Sequence, residues 1–146
     1  MADLILAEQM LAYLVAQGIV RAGSTAGTLP PCWIEPLEGL QQPTDDDPLT
    51  AALFSGPEIA MPWLEYQMTQ RPLKIVTRSR DWPSTEVLHR KVRAALEEKR
   101  WFLAGTLRVQ MSKMAIGLQR IPDNDPTIYQ ATASYRIYAA ASSYTV

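Results

Sequence analysis

Three features of the sequence contain residue types that could do chemistry: a single histidine, a single cysteine and a run of three aspartates. His89 precedes Arg90 and Lys91 on a predicted helix, so a Ser-His-Asp or Cys-His relay would depend on a surface imidazole beside cations. Cys32 has no cysteine partner, and we interpret it as a small buried residue rather than a reactive thiol. These residues predict no catalytic set.

The aspartate run, Asp45, Asp46 and Asp47, resembles a site for a hard cation only loosely. It lacks the alternating ligand spacing, the central glycine and the distal glutamate of a calcium loop. One histidine and one cysteine in remote elements do not supply three converging metal ligands. The common glycine-rich phosphate-binding motifs are also absent from the sequence. We therefore predict a protein that is not an enzyme and that has no cofactor and no metal site.

The composition is that of a globular protein with one domain spanning residues 1–146. Hydrophobic residues make up 47% and charged residues 20%, and no apolar run approaches the length of about 18 residues that a membrane helix requires. The N-terminus is acidic through Asp3 and Glu8 and has no basic segment, which disfavours a secretory signal. We expect no contact with a membrane.

Charge is segregated along the chain although the net charge is only -1. Between Arg21 and Arg71 there are seven acidic residues and no Lys or Arg, whereas residues 71–100 contain nine Lys or Arg and four acids. In an oligomer with head-to-tail contacts, two unlike patches of this kind can pair opposite charges. The pattern therefore favours an interface between copies of the chain.

The first half of the chain predicts one helix, one short strand and a long loop. Apolar residues recur at helical spacing over residues 4–17, and Trp33-Ile34-Glu35 is typical of a short strand that ends at Pro36. Residues 37–57 contain the aspartate run and a short apolar patch, and we expect a long acidic loop with at most one helical turn.

A hairpin, a second helix and two long strands are predicted next. We expect strands at 58–68 and 73–80 joined by a turn at 69–72, and a helix that begins near Asp81 to Ser84. Its buried stripe would be Leu88, Val92, Ala95 and Leu96, with His89 on the solvent side. Long strands follow at 106–116, with a bulge near 112–113, and at 128–138. The predicted fold class is α+β, with two helices on one face of a mostly antiparallel four- to five-stranded sheet.

The succession of a strand ending in Ile75-Val76-Thr77-Arg78, the helix 86–96, Gly105-Thr106-Leu107 and a final aromatic-rich strand resembles the tail-terminator or minor capsid proteins of the neck of long-tailed bacteriophages. The resemblance covers most of the chain. It implies a small α+β subunit that forms a hexameric ring on the last ring of the tail tube, stops its growth and offers a docking surface to the head connector. The acidic excursion at 37–57 is longer than the family pattern.

The resemblance implies a protein located in the virion at the junction of tail and head, assembled in the host cytoplasm. Its partners would be copies of itself, the tail tube protein and the head connector or stopper protein, with non-specific contact with genomic DNA in the lumen. We predict that acidic and basic residues of neighbouring subunits meet in the ring. The residues of this interface hypothesis are Asp45, Asp46, Asp47, Lys74, Arg78, Arg80, Arg90 and Arg93.

Two alternatives are left open by the sequence. A head-completion or stopper protein of the same neck has the same size and the same lack of catalytic residues. A monomeric binding module could use the acidic loop to hold a basic partner. A dedicated nucleic-acid binder is disfavoured by the pI near 5.8 and by the lack of aromatic residues among the clustered cations. We expect Trp63, Trp82 and Trp101 to pack in the core or at hinges.

Overall fold

The computed structural model describes residues 2–34, 41–56, 59–60, 68–123 and 125–140. Within these residues there are two helices and eight strands. In chain order they are α1 (Ala2–Ala16), β1 (Arg21–Ala22), β2 (Pro31–Ile34), β3 (Leu49–Ser55), β4 (Ile59–Ala60), β5 (Met68–Ser79), α2 (Trp82–Leu96), β6 (Lys99–Ala104), β7 (Leu107–Ile121) and β8 (Tyr129–Ala140).

The sheet is larger and more varied than the sequence predicts. Seven of the described strands follow the order β1-β2-β3-β5-β8-β7-β6, and β4 pairs with β5 beside this path. The pairs β1–β2 and β2–β3 are parallel, and the others are antiparallel. The mixed sheet curls into a half-barrel. The prediction of a four- to five-stranded, mostly antiparallel sheet is therefore wrong.

Both helices pack against the same core. Leu6, Met10 and Leu14 of α1 are fully buried, as are Leu53 of β3 and Leu96 of α2, and all belong to one cluster of buried apolar residues. The Tyr13 hydroxyl of α1 donates a hydrogen bond of 3.0 Å to the carbonyl of Ala95 in α2. Burial of these side chains, each worth about 1.5–3 kcal/mol, fixes the helices on the sheet.

β3 accounts for part of the error, because the predicted loop 37–57 contains a central strand. Leu49 to Leu53 are buried on both faces of the sheet, and the strand lies between β2 and β5. A strand that is covered on both sides shows no alternation of apolar and polar residues, so its short apolar run resembles a buried loop or a helical turn. Residues 37–40 and 57 of the predicted loop, and Glu35 and Pro36 at the end of the predicted strand before it, lie outside the described residues.

β5 runs without interruption through the turn that we predicted at 69–72. Its residues 68–79 all pair with β8, so the predicted turn is wrong. Pro72 lies where the partner of β5 changes from β3, which pairs up to Ser55, to β4, which pairs from Ile59. Its carbonyl accepts a 2.8 Å hydrogen bond from the Gly56 N–H. A proline is tolerated in a strand at such a position because no ladder hydrogen bond needs its missing N–H. Residues 61–67 of the predicted preceding strand lie outside the described residues.

β7 and β8 form the predicted pair of long strands, with bulges at other positions than expected. Register shifts occur between Val109 and Met111, between Met114 and Ile116 and between Ile116 and Gln119, whereas Ser112 and Lys113 themselves pair regularly. Each extra residue bends the strand and reverses which side chains face the core. Ser112 is consequently buried, and its hydroxyl donates a hydrogen bond to the carbonyl of Leu96 in α2.

Candidate functional site

The predicted interface residues lie on two elements and one loop, and most of them have partners in their own chain. Lys74 is exposed on β5, and Arg90 is exposed on α2. Arg93, one turn further along α2, forms an ion pair of 2.5 Å with Glu97. Both side chains of this pair are in contact with solvent, and such pairs contribute little to stability.

Arg78 is held in place by a carboxylate from the turn between β7 and β8. Its Nε and Nη2 atoms donate to the two oxygens of Asp123 at 3.0 and 3.1 Å. The Arg78 side chain is 14% exposed and that of Asp123 is 4% exposed, so the predicted basic face of β5 is partly neutralised and shielded. The backbone N–H of Asp125 and then the Arg78 guanidinium hold the pKa of Asp123 below its usual value.

The aspartate run contacts arginines of the same chain. Asp45 lies 2.5 Å from Nη1 of Arg80, and Asp47 lies 2.7 Å from Nη2 of Arg21. The carbonyl of Asp47 also accepts a 2.9 Å hydrogen bond from the Thr44 N–H, which closes a tight turn. Asp46, at the tip, is exposed and forms no ion pair with the residues that the structure describes. Of the eight predicted residues, Asp45 and Arg80 are therefore in direct contact within one chain.

His89 is buried, whereas the sequence predicts it on the solvent side of α2. It is 4% exposed, and its Nε2 atom lies 2.9 Å from the hydroxyl of Thr77 on β5. Burial lowers the pKa of His89 to about 4, so the imidazole is neutral at pH 7. It lies beside a small cavity of about 180 Å³ that Glu86 and Tyr135 also line. Helical periodicity places His89 beside the buried residues Leu88 and Val92. The charged residues that follow it in the sequence nevertheless favour a position on the solvent side.

A larger groove of about 410 Å³ lies where the loop before β3 meets the first half of α2. Its apolar lining comes from three segments and includes Ile19, Leu29, Pro48, Leu49, Pro83 and Val87. Asp46, Asp47 and Lys91 are the charged residues of its lining. The sequence did not indicate this groove, because its residues come together only in the folded chain.

β6 is an edge strand with an apolar outer face. Trp101 is 77% exposed and Leu103 is 62% exposed, while the intervening Phe102 packs on Tyr13 of α1 with ring centroids 4.8 Å apart. The prediction that Trp101 packs in the core or at a hinge is not met, because most of its side chain is exposed. Trp82 is half-buried 6.0 Å from the ring of Tyr129, and Trp63 lies outside the described residues.

Within the described ranges, no group of three or more His, Cys, Asp or Glu side chains is placed to hold a metal ion. No helix among the described residues is both long and apolar enough to span a membrane. Cys32 is fully buried in β2, in agreement with its predicted role as a packing residue.

Comparisons with known proteins show a likeness of fold. No family model and no curated protein matches the chain. Among solved structures, a chain from a structure described as the virion of a native gene transfer agent particle is similar, with a TM-score of 0.56 over 95% of this chain and 96% of that one. The two sequences are 13% identical, so the likeness shows a shared fold. The predicted resemblance to virion proteins therefore holds for the fold, because a chain with this fold occurs in a virion particle.

Proposed function

We propose that this protein is a structural component of a virion, and more specifically a neck protein of a tailed bacteriophage or related particle that forms a ring on the end of the tail tube. The observation that carries the proposal is the fold likeness, which extends over nearly the whole of both chains rather than over one motif. In this role the ring, with six copies as the resemblance implies, ends growth of the tube and joins it to the head connector.

The exposed apolar edge supports a role in assembly. Monomeric proteins protect their sheet edges, and a flat edge with large apolar side chains is a template for contact with another chain. Here β6 presents Trp101 and Leu103 at one end of the sheet. These side chains give the ring a source of cohesion that surface ion pairs alone do not provide.

The charged residues of the interface hypothesis would then set the register of the ring. Lys74, Arg90 and Asp46 are exposed and suited to pairing across subunits, whereas Arg78, Arg93 and Asp47 already pair within their chain. Reversal of charge at Lys74 and Arg90 is expected to weaken the oligomer, more at low salt than at high salt. An oligomer mass in light scattering that is unchanged at both salt concentrations would exclude these two residues from the interface.

Particles assembled without the protein test the function itself. If the protein ends tube growth, its removal gives tails of uncontrolled length that do not join heads. A head-completion or stopper protein, the alternative within the same neck, would leave detached tails of normal length. Normal particles in electron micrographs would contradict both roles and favour the monomeric binding module, for which light scattering should find a stable monomer that is indifferent to tail tubes.

A further inference from the structure

The backbone at Trp101 is held in a conformation that bulky residues avoid. Its φ angle is +54°, in the left-handed region, and the ladder between β6 and β7 skips this residue while pairing Arg100 with Met111 and Phe102 with Val109. Such strain is characteristic of functional positions. Its result is a tryptophan that projects into solvent next to the exposed cations Lys99 and Arg100.

The groove between the aspartate run and α2 has the complementary properties. Its lining is mainly apolar, its volume of about 410 Å³ can accept a large aromatic side chain, and Asp46 and Asp47 lie along its side. Asp46 has no cationic partner among the residues that the structure describes, and Val87 of the groove is 46% exposed. An apolar anchor flanked by positive charges would fill this groove and pair with Asp46, since Asp47 already pairs with Arg21.

The groove and Trp101 lie at opposite ends of α2. The groove is lined by Pro83, Val87 and Lys91 in the first part of the helix, whereas Trp101 follows shortly after its last residue, Leu96. Val87, in the middle of this lining, lies about 13 Å along the helix axis from Leu96 at a rise of about 1.5 Å per residue, and Trp101 lies beyond that end on β6. Because of this separation, the tryptophan of one chain is placed to enter the groove of another chain rather than its own.

We infer that Trp101 of one copy docks in the groove between the aspartate run and α2 of the next copy, with Lys99 and Arg100 facing Asp46. The contact joins two different surfaces, so it is head-to-tail and closes into a ring when the rotation between copies permits. The inference rests on the proposed ring and specifies which surfaces build it.

Trp101→Ala tests the anchor, with Leu118→Ala as the matched control. Both residues are exposed and apolar, and neither belongs to the cluster of buried core residues. Loss of a central tryptophan is expected to weaken self-association by roughly 30-fold, as measured by sedimentation, while the control stays near wild type. Equal effects of the two substitutions would overturn the inference, provided that circular dichroism shows both variants folded.

Cross-linking tests the pairing of the two surfaces and also captures weak association. Arg100→Cys and Val87→Cys variants, both of which keep Trp101, are mixed and treated with a short bismaleimide, against a mixture of Leu118→Cys and Val87→Cys. Cys32 is fully buried and therefore adds little background. The first mixture should give a linked dimer that neither variant gives alone. No dimer above the level of the control mixture overturns the docking, whereas the proposed function is judged separately by the length of tails.

Discussion

At the scale of single residues, His89 and Trp101 are the two side chains whose environment departs most from what their neighbours in sequence indicate. The imidazole is enclosed between α2 and β5 beside Thr77, and the indole projects into solvent. The burial of His89 agrees with the helical periodicity of α2 and not with its polar neighbours in sequence, whereas the exposure of Trp101 follows from its place on the edge strand. Each residue therefore gives a direct test of the local geometry.

His89 should make the protein less stable in mild acid. The unfolded chain binds a proton on this imidazole near pH 6.5, but the folded chain does so only near pH 4, so stability is lost as the pH falls between these values. At pH 4.5 the loss due to His89 is about 2 kcal/mol relative to pH 7. Urea unfolding of wild type and His89→Gln at both pH values measures it, because the variant lacks this contribution. A loss of equal size in the two proteins would contradict the buried neutral imidazole.

Replacement of Trp101 should stabilise the isolated subunit. Glycine adopts positive φ angles without steric cost, so Trp101→Gly is expected to raise the free energy of unfolding by about 0.5–1 kcal/mol in dilute solution. The control is Leu103→Gly, two residues along the same exposed strand, for which no positive φ angle is found; there glycine should destabilise by a similar amount. If both substitutions destabilise alike, Trp101 is not strained.

At the scale of elements, β3 is the strand that the rest of the sheet depends on. It joins the parallel pair at one edge to the long antiparallel strands, and its side chains face both the helices and the opposite surface of the sheet. Its position explains why a short apolar run of modest length is buried so completely.

Leu53→Ala should therefore cost about 2–5 kcal/mol of stability, the range for a fully buried leucine. Leu103→Ala, on the exposed face of the edge strand β6, should change the free energy of unfolding by less than about 0.5 kcal/mol. Denaturant titration of the two variants compares them directly. Similar losses would show that Leu49–Ser55 is not a central strand.

The Arg78–Asp123 contact fixes the turn between β7 and β8 to β5. Asp123→Asn removes the charge that the two guanidinium donors contact, and we expect the midpoint of thermal unfolding to fall by a few degrees. Glu97→Gln, which breaks the more exposed pair with Arg93, is the control and should have a smaller effect. A larger effect at Glu97 would show that the Arg78–Asp123 contact does not anchor the turn.

At the scale of the whole molecule, the sequence predicts regular elements better than it predicts their assembly. Helix α2, with Asp81 at its N-cap position and Pro83 in its first turn, and the pair β7–β8 follow from turn residues and periodicity that are local in sequence. The sequence predicts a bulge near 112–113, and the structure has register shifts on either side of it, between Val109 and Met111 and between Met114 and Ile116, with Ser112 buried between them. The sequence does not predict the groove or the exposure of Trp101. Both depend on which segments lie side by side in the folded chain.

The whole molecule is a curved sheet with two helices and an apolar edge, a form that suits the ring subunit of the virion neck that we propose. Electron microscopy of assembled particles, with the subunit identified by a tag at an exposed site, tests this role most directly. We predict density or label confined to the junction of head and tail, arranged as a closed ring on the tube end. Label distributed over the capsid or along the tail, or absent from the particle, would contradict a ring at the neck.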